Sequence, residues 1–218
     1  LLAVIVAIPV IGMTIIAPAL TIIKNDLNIS FENTQLILTL YFTFLAFGQI
    51  LFGPFSDKYG RKPILLLGAS IYSVSAFFAS LSSNIEILLI LRCFQGFGAA
   101  ACLSVGRTIL SDCYEIKEAA KEMSKMTAIM AVIPISCFIF GGFLAEFLGW
   151  RTNLIALGLI SLILIIAMSF LLNETLIKKA KSISFKNMFI VYRGLLKNLS
   201  FNFFTITTAM QTSMFFAM

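Results

Sequence analysis

The spacing of the charged residues constrains this chain more than any other feature of its sequence. Six stretches contain no Asp, Glu, Lys or Arg: residues 1–23, 33–56, 63–85, 126–145, 152–173 and 198–218. A seventh, residues 87–111, contains only Arg92 and Arg107. Each is as long as the roughly 20 residues a helix needs to cross about 30 Å of hydrocarbon. Inside a bilayer no water is at hand for the peptide groups, and a helix satisfies them within one segment. Strands of a membrane barrel would show as alternating segments of about 10 residues, a pattern these stretches lack. The spacing therefore predicts an all-α membrane protein with seven spans. Composition agrees: 60% of the 218 residues are hydrophobic and 12% charged, with a mean hydropathy of +1.00, far from a soluble domain.

The positive charges are sorted by side. The segment GPFSDKYGRKP, residues 53–63, connects the second and third spans on what we call the near face. Thirteen of the 16 Lys and Arg residues fall on that face, from Lys58, Arg61 and Lys62 through Arg107, Lys117, Lys121 and Lys125 to the Lys-rich stretch 178–197. Lys24 and Arg151 alone fall on the far face. Such asymmetry sets membrane orientation. It predicts a multi-pass membrane protein with its near face, and its N-terminus, in the cytoplasm. The net charge of +6 then reflects topology and gives no reason to expect nucleic acid. Cys93, Cys102, Cys113 and Cys137 are isolated and the chain has no His, so neither a metal site nor a disulfide framework is indicated.

Six spans, a polar connection and a further span give the expected organisation. Residues 1–173 are a six-helix bundle, 174–197 a cytoplasmic linker, and 198–218 the start of a second bundle. The chain begins with Leu and stops within its seventh hydrophobic run, and is read as a fragment. The first six spans carry an internal echo: Gly53, Asp57, Gly60 and Arg61 after the second, Gly142, Glu146, Gly149 and Arg151 after the fifth. One set falls on the near face and the other on the far face, as an inverted repeat of three plus three helices requires.

Several residues stand out for chemistry. Gly53 and Gly60 are expected to turn the chain sharply between antiparallel helices, with Asp57 within reach of Arg61 and of helix N-termini, which favour anions. Arg92 lies six residues past Glu86, about 9 Å deeper along a helix, with Gln95 one turn on. A cation at that depth costs at least a few kcal/mol and is a functional candidate. It could also snorkel outward. Gly96, Gly98 and Ala99–Ala101 make a thin helix wall that permits close packing, and Pro134 with Gly141 and Gly142 gives the fifth span a smooth face. Thr14, Gln35, Tyr41 and Gln49 are polar handles in apolar runs and are candidate cavity residues, among adaptable Phe and Met surface.

Gly53, Asp57-Lys58 and Gly60-Arg61-Lys62 resemble the signature loop between helices 2 and 3 of the major facilitator superfamily. Leu91-Arg92, Gln95-Gly96 and Gly98-Ala99-Ala100 resemble the family's helix 4 motif, which Arg107 and Asp112 close. Pro134 with Gly141-Gly142, then Gly149-Trp150-Arg151, resembles the helix 5 motif of drug/proton antiporters, and Glu174-Thr175-Leu176 closes the sixth span. Residues 39–68 look especially like the bicyclomycin-resistance-type (Bcr/CflA) multidrug exporters. The resemblance implies the N-terminal half of a secondary transporter, monomeric and working by alternating access, that exchanges small amphipathic compounds for protons without cofactor or covalent chemistry. In it residues 53–62 would act as a conformational latch, and Arg92, Gln95 and Glu146 as cavity or proton-relay residues.

The chain departs from that pattern. Thr14 stands where close relatives usually carry an acid, Cys137-Phe138 where Gly-Pro is expected, and no carboxylate lies deep in any span. Either the coupling group lies elsewhere, or Glu146 or Arg92 takes part, or coupling is absent. Uptake of a metabolite or sugar, and a non-transporting sensor or remnant of the same fold, are the alternatives.

Overall fold

The computed structural model describes residues 1–176 and 185–217. Lys178, Lys179 and Lys181, among the near-face cations, lie outside the described residues. The chain divides into two compact units, Leu1–Lys179 and Ala180–Met218.

The first unit is built of six membrane-length helical spans. The first is broken: helix α1, Leu2–Thr14, passes through a short 3-10 turn, Ala17–Ala19, into α2, Leu20–Asp26. The cause is Pro18, which has no N–H to offer a carbonyl one turn back and closes the preceding turn to 3-10 geometry. Five continuous helices follow: α3, Phe31–Tyr59; α4, Arg61–Ser80; α5, Ile85–Cys113; α6, Ile116–Leu148; and α7, Arg151–Leu171. All six are long and apolar enough to cross a membrane, and the protein is an integral multi-pass membrane protein. Local signals mark their starts. Ser30 Oγ accepts from Asn33 N at the head of α3, and Asn84 Oδ1 accepts from Ile87 N at the head of α5. Both are ordinary N-caps.

α5 lies at the centre of the unit, against α1, α3 and α4, while α4 also packs on α7 and α6 on α1. Lipid gives helices no hydrophobic reason to associate, so close backbone approach has to supply the contact. The small residues of α5 provide it. A Cβ on Gly96 would strike the Tyr41 carbonyl of α3, and one on Gly98 would sit 2.5 Å from the Gly68 carbonyl of α4. Ala99, Ala100, Ala101 and Cys102 beside them are fully buried. Thus the expected thin wall is a crossing point for three helices.

One expectation needs correction. Gly53 is not a turn residue: α3 runs on to Tyr59 and leaves Gly53 helical, with open space where a Cβ would stand. Gly60 alone makes the turn into α4, at φ 114. The second unit holds α8, Phe185–Lys197, and α9, Leu199–Ala217, the helix expected to open a second bundle. Asn202, Thr205, Thr207 and Thr208 make it less apolar than the six spans.

Candidate functional site

Polar side chains inside the first unit gather at three levels. At the near end, the turn at Gly60 places Arg61 at the first position of α4 with its side chain 8% exposed. Its Nη1 donates to Asp57 Oδ1 at 2.5 Å and to Ser56 Oγ at 2.6 Å, and its Nε donates to Asp112 Oδ2 at 3.0 Å. One guanidinium thus ties the end of α3 to the end of α5. Asp57 reaches Arg61 as expected, but among the described residues it accepts from no helix N–H group. Glu174, past the end of α7, caps α4 instead: its Oε1 accepts from Arg61 N at 2.9 Å and its Oε2 from Lys62 N at 3.3 Å. These are the first N–H groups of α4, which carry the positive end of the helix dipole. Burial works to raise the Glu174 carboxyl, but the N–H donors of Leu176, Arg61, Lys62 and Thr175 outweigh it and hold it below the ordinary glutamate range. Lys62 Nζ donates to Ser169 O, and the Lys58 ammonium lies over the Tyr59 ring. Arg107 is exposed and makes no ion pair among the described residues.

Halfway along the spans, Arg92 is fully buried and does not snorkel. Its Nη1 donates to Gln95 Oε1 at 2.6 Å, its Nη2 to Gly12 O at 3.1 Å and its Nε to Ile37 O at 3.5 Å, and the guanidinium lies over the Tyr41 ring, 4.4 Å from its centroid. Among the described residues no carboxylate joins this network. Tyr41 Oη donates to Pro9 O at 3.0 Å. The second tyrosine of the group, Tyr72, was not foreseen; its hydroxyl and Gln95 Nε2 are buried and unpartnered.

The candidate cavity residues do not converge. Thr14 is buried with its hydroxyl returned to Val10 O, Tyr41 belongs to the Arg92 network, Gln49 is half-buried and Gln35 is exposed. In α6, Pro134 is half-buried. Gly141 lies so close to the Ile15 carbonyl that no Cβ would fit, while a Cβ on Gly142 would only meet Pro18 Cβ at 3.6 Å. Sequence reading missed Asn153. Its fully buried side chain donates from Nδ2 to Ile15 O at 2.8 Å and to Gly141 O at 3.0 Å. An Asn in the first turn of a strongly apolar run was the available signal.

At the far end, Glu146 is exposed and pairs with nothing among the described residues. The internal echo therefore fails for its acid. Arg151 instead meets Asp26, its Nη1 donating to Oδ2 at 2.8 Å.

Comparison with known proteins agrees with this architecture. A bicyclomycin resistance protein homolog of Haemophilus influenzae is 31% identical over 167 residues, 77% of this chain and 42% of that protein. A chloramphenicol resistance protein of Pseudomonas aeruginosa is 35% identical, over 68% of this chain and 36% of its own length. Among solved structures, a bacterial homolog of the human lysosomal transporter Spinster, inward-facing and unoccupied, superimposes with a TM-score of 0.67 at 21% identity, over 84% of this chain and 43% of that one. The chain spans less than half the length of these relatives. The family model described as Major Facilitator Superfamily matches residues 2–218, and with spans and packing of this kind the chain belongs to that superfamily.

Proposed function

We propose that this chain is part of a drug/proton antiporter that exports small amphipathic compounds by alternating access, with the near face in the cytoplasm of a bacterial cell and the protein acting as a monomer in the inner membrane. The observation that carries the reading is Arg92: a cation sealed at mid-span between α1, α3 and α5, held by carbonyls and Gln95 with no acid to neutralise it. Burying an unpaired charge is costly. A neutral donor serves a freed carbonyl as well, as Asn153 does at Ile15 O, so the charge itself is what supports a transport role. The resistance-protein names of two relatives support export of drugs over uptake of a metabolite.

In this reading the near-end cluster of Asp57, Arg61, Asp112 and Glu174 is the latch, held in one orientation of the bundle and loosened in the other. Arg92 and Gln95 respond to protonation or substrate arriving from outside this unit. Among the described residues every acid sits near a helix end, so the proton-carrying carboxylate is assigned to the partner half. The substrate would lie between the halves near the midplane, as in transporters built from paired repeats.

The test is efflux of a fluorescent drug from cells expressing the full gene, comparing the parent with Arg92→Ala and Asp57→Asn at matched protein levels. Both variants lose efflux if the reading is right; unchanged efflux in both overturns the site assignment. Reconstituted vesicles that show drug flux without any change of interior pH would overturn proton coupling.

A further inference from the structure

The far end of the bundle holds a second charge cluster that the transport reading leaves unused. Asp26 Oδ2, at the end of α2, accepts from Trp150 Nε1 at 3.0 Å and from Arg151 Nη1 at 2.8 Å. Arg151 Nη2 donates to Ser82 O at 3.1 Å, in the turn between α4 and α5. The guanidinium also lies over the Trp150 ring, 4.3 Å from its centroid, and Trp150 is 2% exposed. Gly149, at φ 85, makes the turn that delivers both residues.

The connectivity matches the near end turned over. Arg61 follows the left-handed glycine between the second and third spans and binds Asp112, at the end of the first helix of the other triplet. Arg151 follows the left-handed glycine between the fifth and sixth spans and binds Asp26, at the end of the first span of the other triplet. Each triplet thus sends one Arg across to the acid that ends the other's leading helix. The two tie points lie at opposite ends of the bundle. A body fixed at both ends cannot shear along its seam, whereas one fixed at a single end can.

We infer that Asp26, Trp150 and Arg151 form a far-face clamp that joins the two three-helix triplets into one body and stays closed while the bundle moves. Of the two clamps this one is the more open to solvent, its ion-pair side chains being 42% and 46% exposed, so the charge pair alone is weak. The buried indole and the Ser82 carbonyl fix its geometry.

The test breaks the clamp and rejoins it. In the full-length protein, with its native cysteines replaced by Ala, Asp26→Cys and Arg151→Cys are introduced together and bridged by a short bifunctional thiol reagent. Before bridging, the melting temperature of the purified protein falls by about 4 °C or more and efflux drops about tenfold, the order expected when a connected network is removed. After bridging, both recover. Parent-like melting before bridging overturns the clamp, as does bridging that restores melting while abolishing efflux, since the clamp would then have to open. The efflux readout rests on the proposed transport activity. If the cysteine-free parent shows no efflux, that activity is what fails, and the melting pair alone decides whether the triplets are joined here. If the double variant does not reach the membrane, Asp26→Asn takes its place: lowered melting supports the clamp and unchanged melting overturns it.

Discussion

Replacing Gly60 by Ala should damage this protein far more than the same change at Gly53, although both glycines belong to one motif. Gly60 sits at φ 114 and ψ 152, a region where a residue with a Cβ is strained by about 1–3 kcal/mol. A Cβ there would also stand 2.5 Å from Glu174 Oε2 and 3.2 Å from Pro63 Cδ. The carboxylate must move, and moving it breaks its bonds to Arg61 N and Lys62 N. Each bond to a charged acceptor contributes about 1.5 kcal/mol at the low end that solvent exposure imposes. Strain and lost bonds together come to about 4–6 kcal/mol, or roughly 10–20 °C of melting temperature for a unit of this size. Gly53 is helical with nothing within 4 Å of a Cβ, so Ala there should be neutral or stabilising by up to about 1 kcal/mol. Thermal melting of the two purified variants decides it. Equal losses, or a Gly60→Ala protein that melts like the parent, would refute the assignment of the turn to Gly60 and of the cap to Glu174.

Other perturbations test the remaining contacts. Asn153→Ala leaves the Ile15 and Gly141 carbonyls without their donor in a buried site and should cost about 2–3 kcal/mol, seen as lowered melting; Asn153→Asp should do no better, because a carboxylate cannot donate. Gly96→Ala would press a methyl into the Tyr41 backbone and force α3 and α5 apart, at about 1–3 kcal/mol. Arg92→Lys keeps the charge but cannot reach Gln95, Gly12 and Ile37 together, so efflux should fall about as far as in Arg92→Ala. The depressed Glu174 carboxyl contributes stability above the ordinary glutamate pKa, and this is lost as pH falls through its lower folded value. Melting followed from neutral to acid pH should show that loss in the parent and a smaller one in Glu174→Gln.

The spans were legible in the sequence because placing a charge in hydrocarbon costs about 3 kcal/mol or more per residue, more than any local propensity. Six of the seven uncharged or nearly uncharged runs became membrane-length helices in the first unit. Partners were not legible. Arg61 has a neighbour in sequence, Asp57, but its other ties, Asp112 and Glu174, lie 51 and 113 residues away. Nothing periodic marks a contact closed by the whole bundle. The internal echo misled for the same reason. It set Glu146 in the place of Asp57 by local spacing, whereas the fold brings Arg151 its acid, Asp26, from 125 residues away.

The buried Arg92 looked anomalous because its stabilisation comes from a different span. Pro18 ends α1 at Thr14, in mid-span, and the tightened turn changes which carbonyls the helix uses: Ile16 N donates to Met13 O and Ala19 N to Ile16 O. Gly12 O and Ile15 O are thereby freed, at the negative end of the α1 dipole. Arg92 takes the first of them and Asn153 the second. A carbonyl left bare in lipid costs several kcal/mol, so the break demands buried donors, and a cation is the donor a helix C-terminus favours. Gly12 completes the fit, since a Cβ there would stand 2.8 Å from Tyr41 Oη. One proline therefore sets the position of an arginine 74 residues further along the chain. Pro18→Ala would let the helix run through, reclaim both carbonyls and strand the guanidinium, so it should impair the protein as severely as losing Arg92 itself.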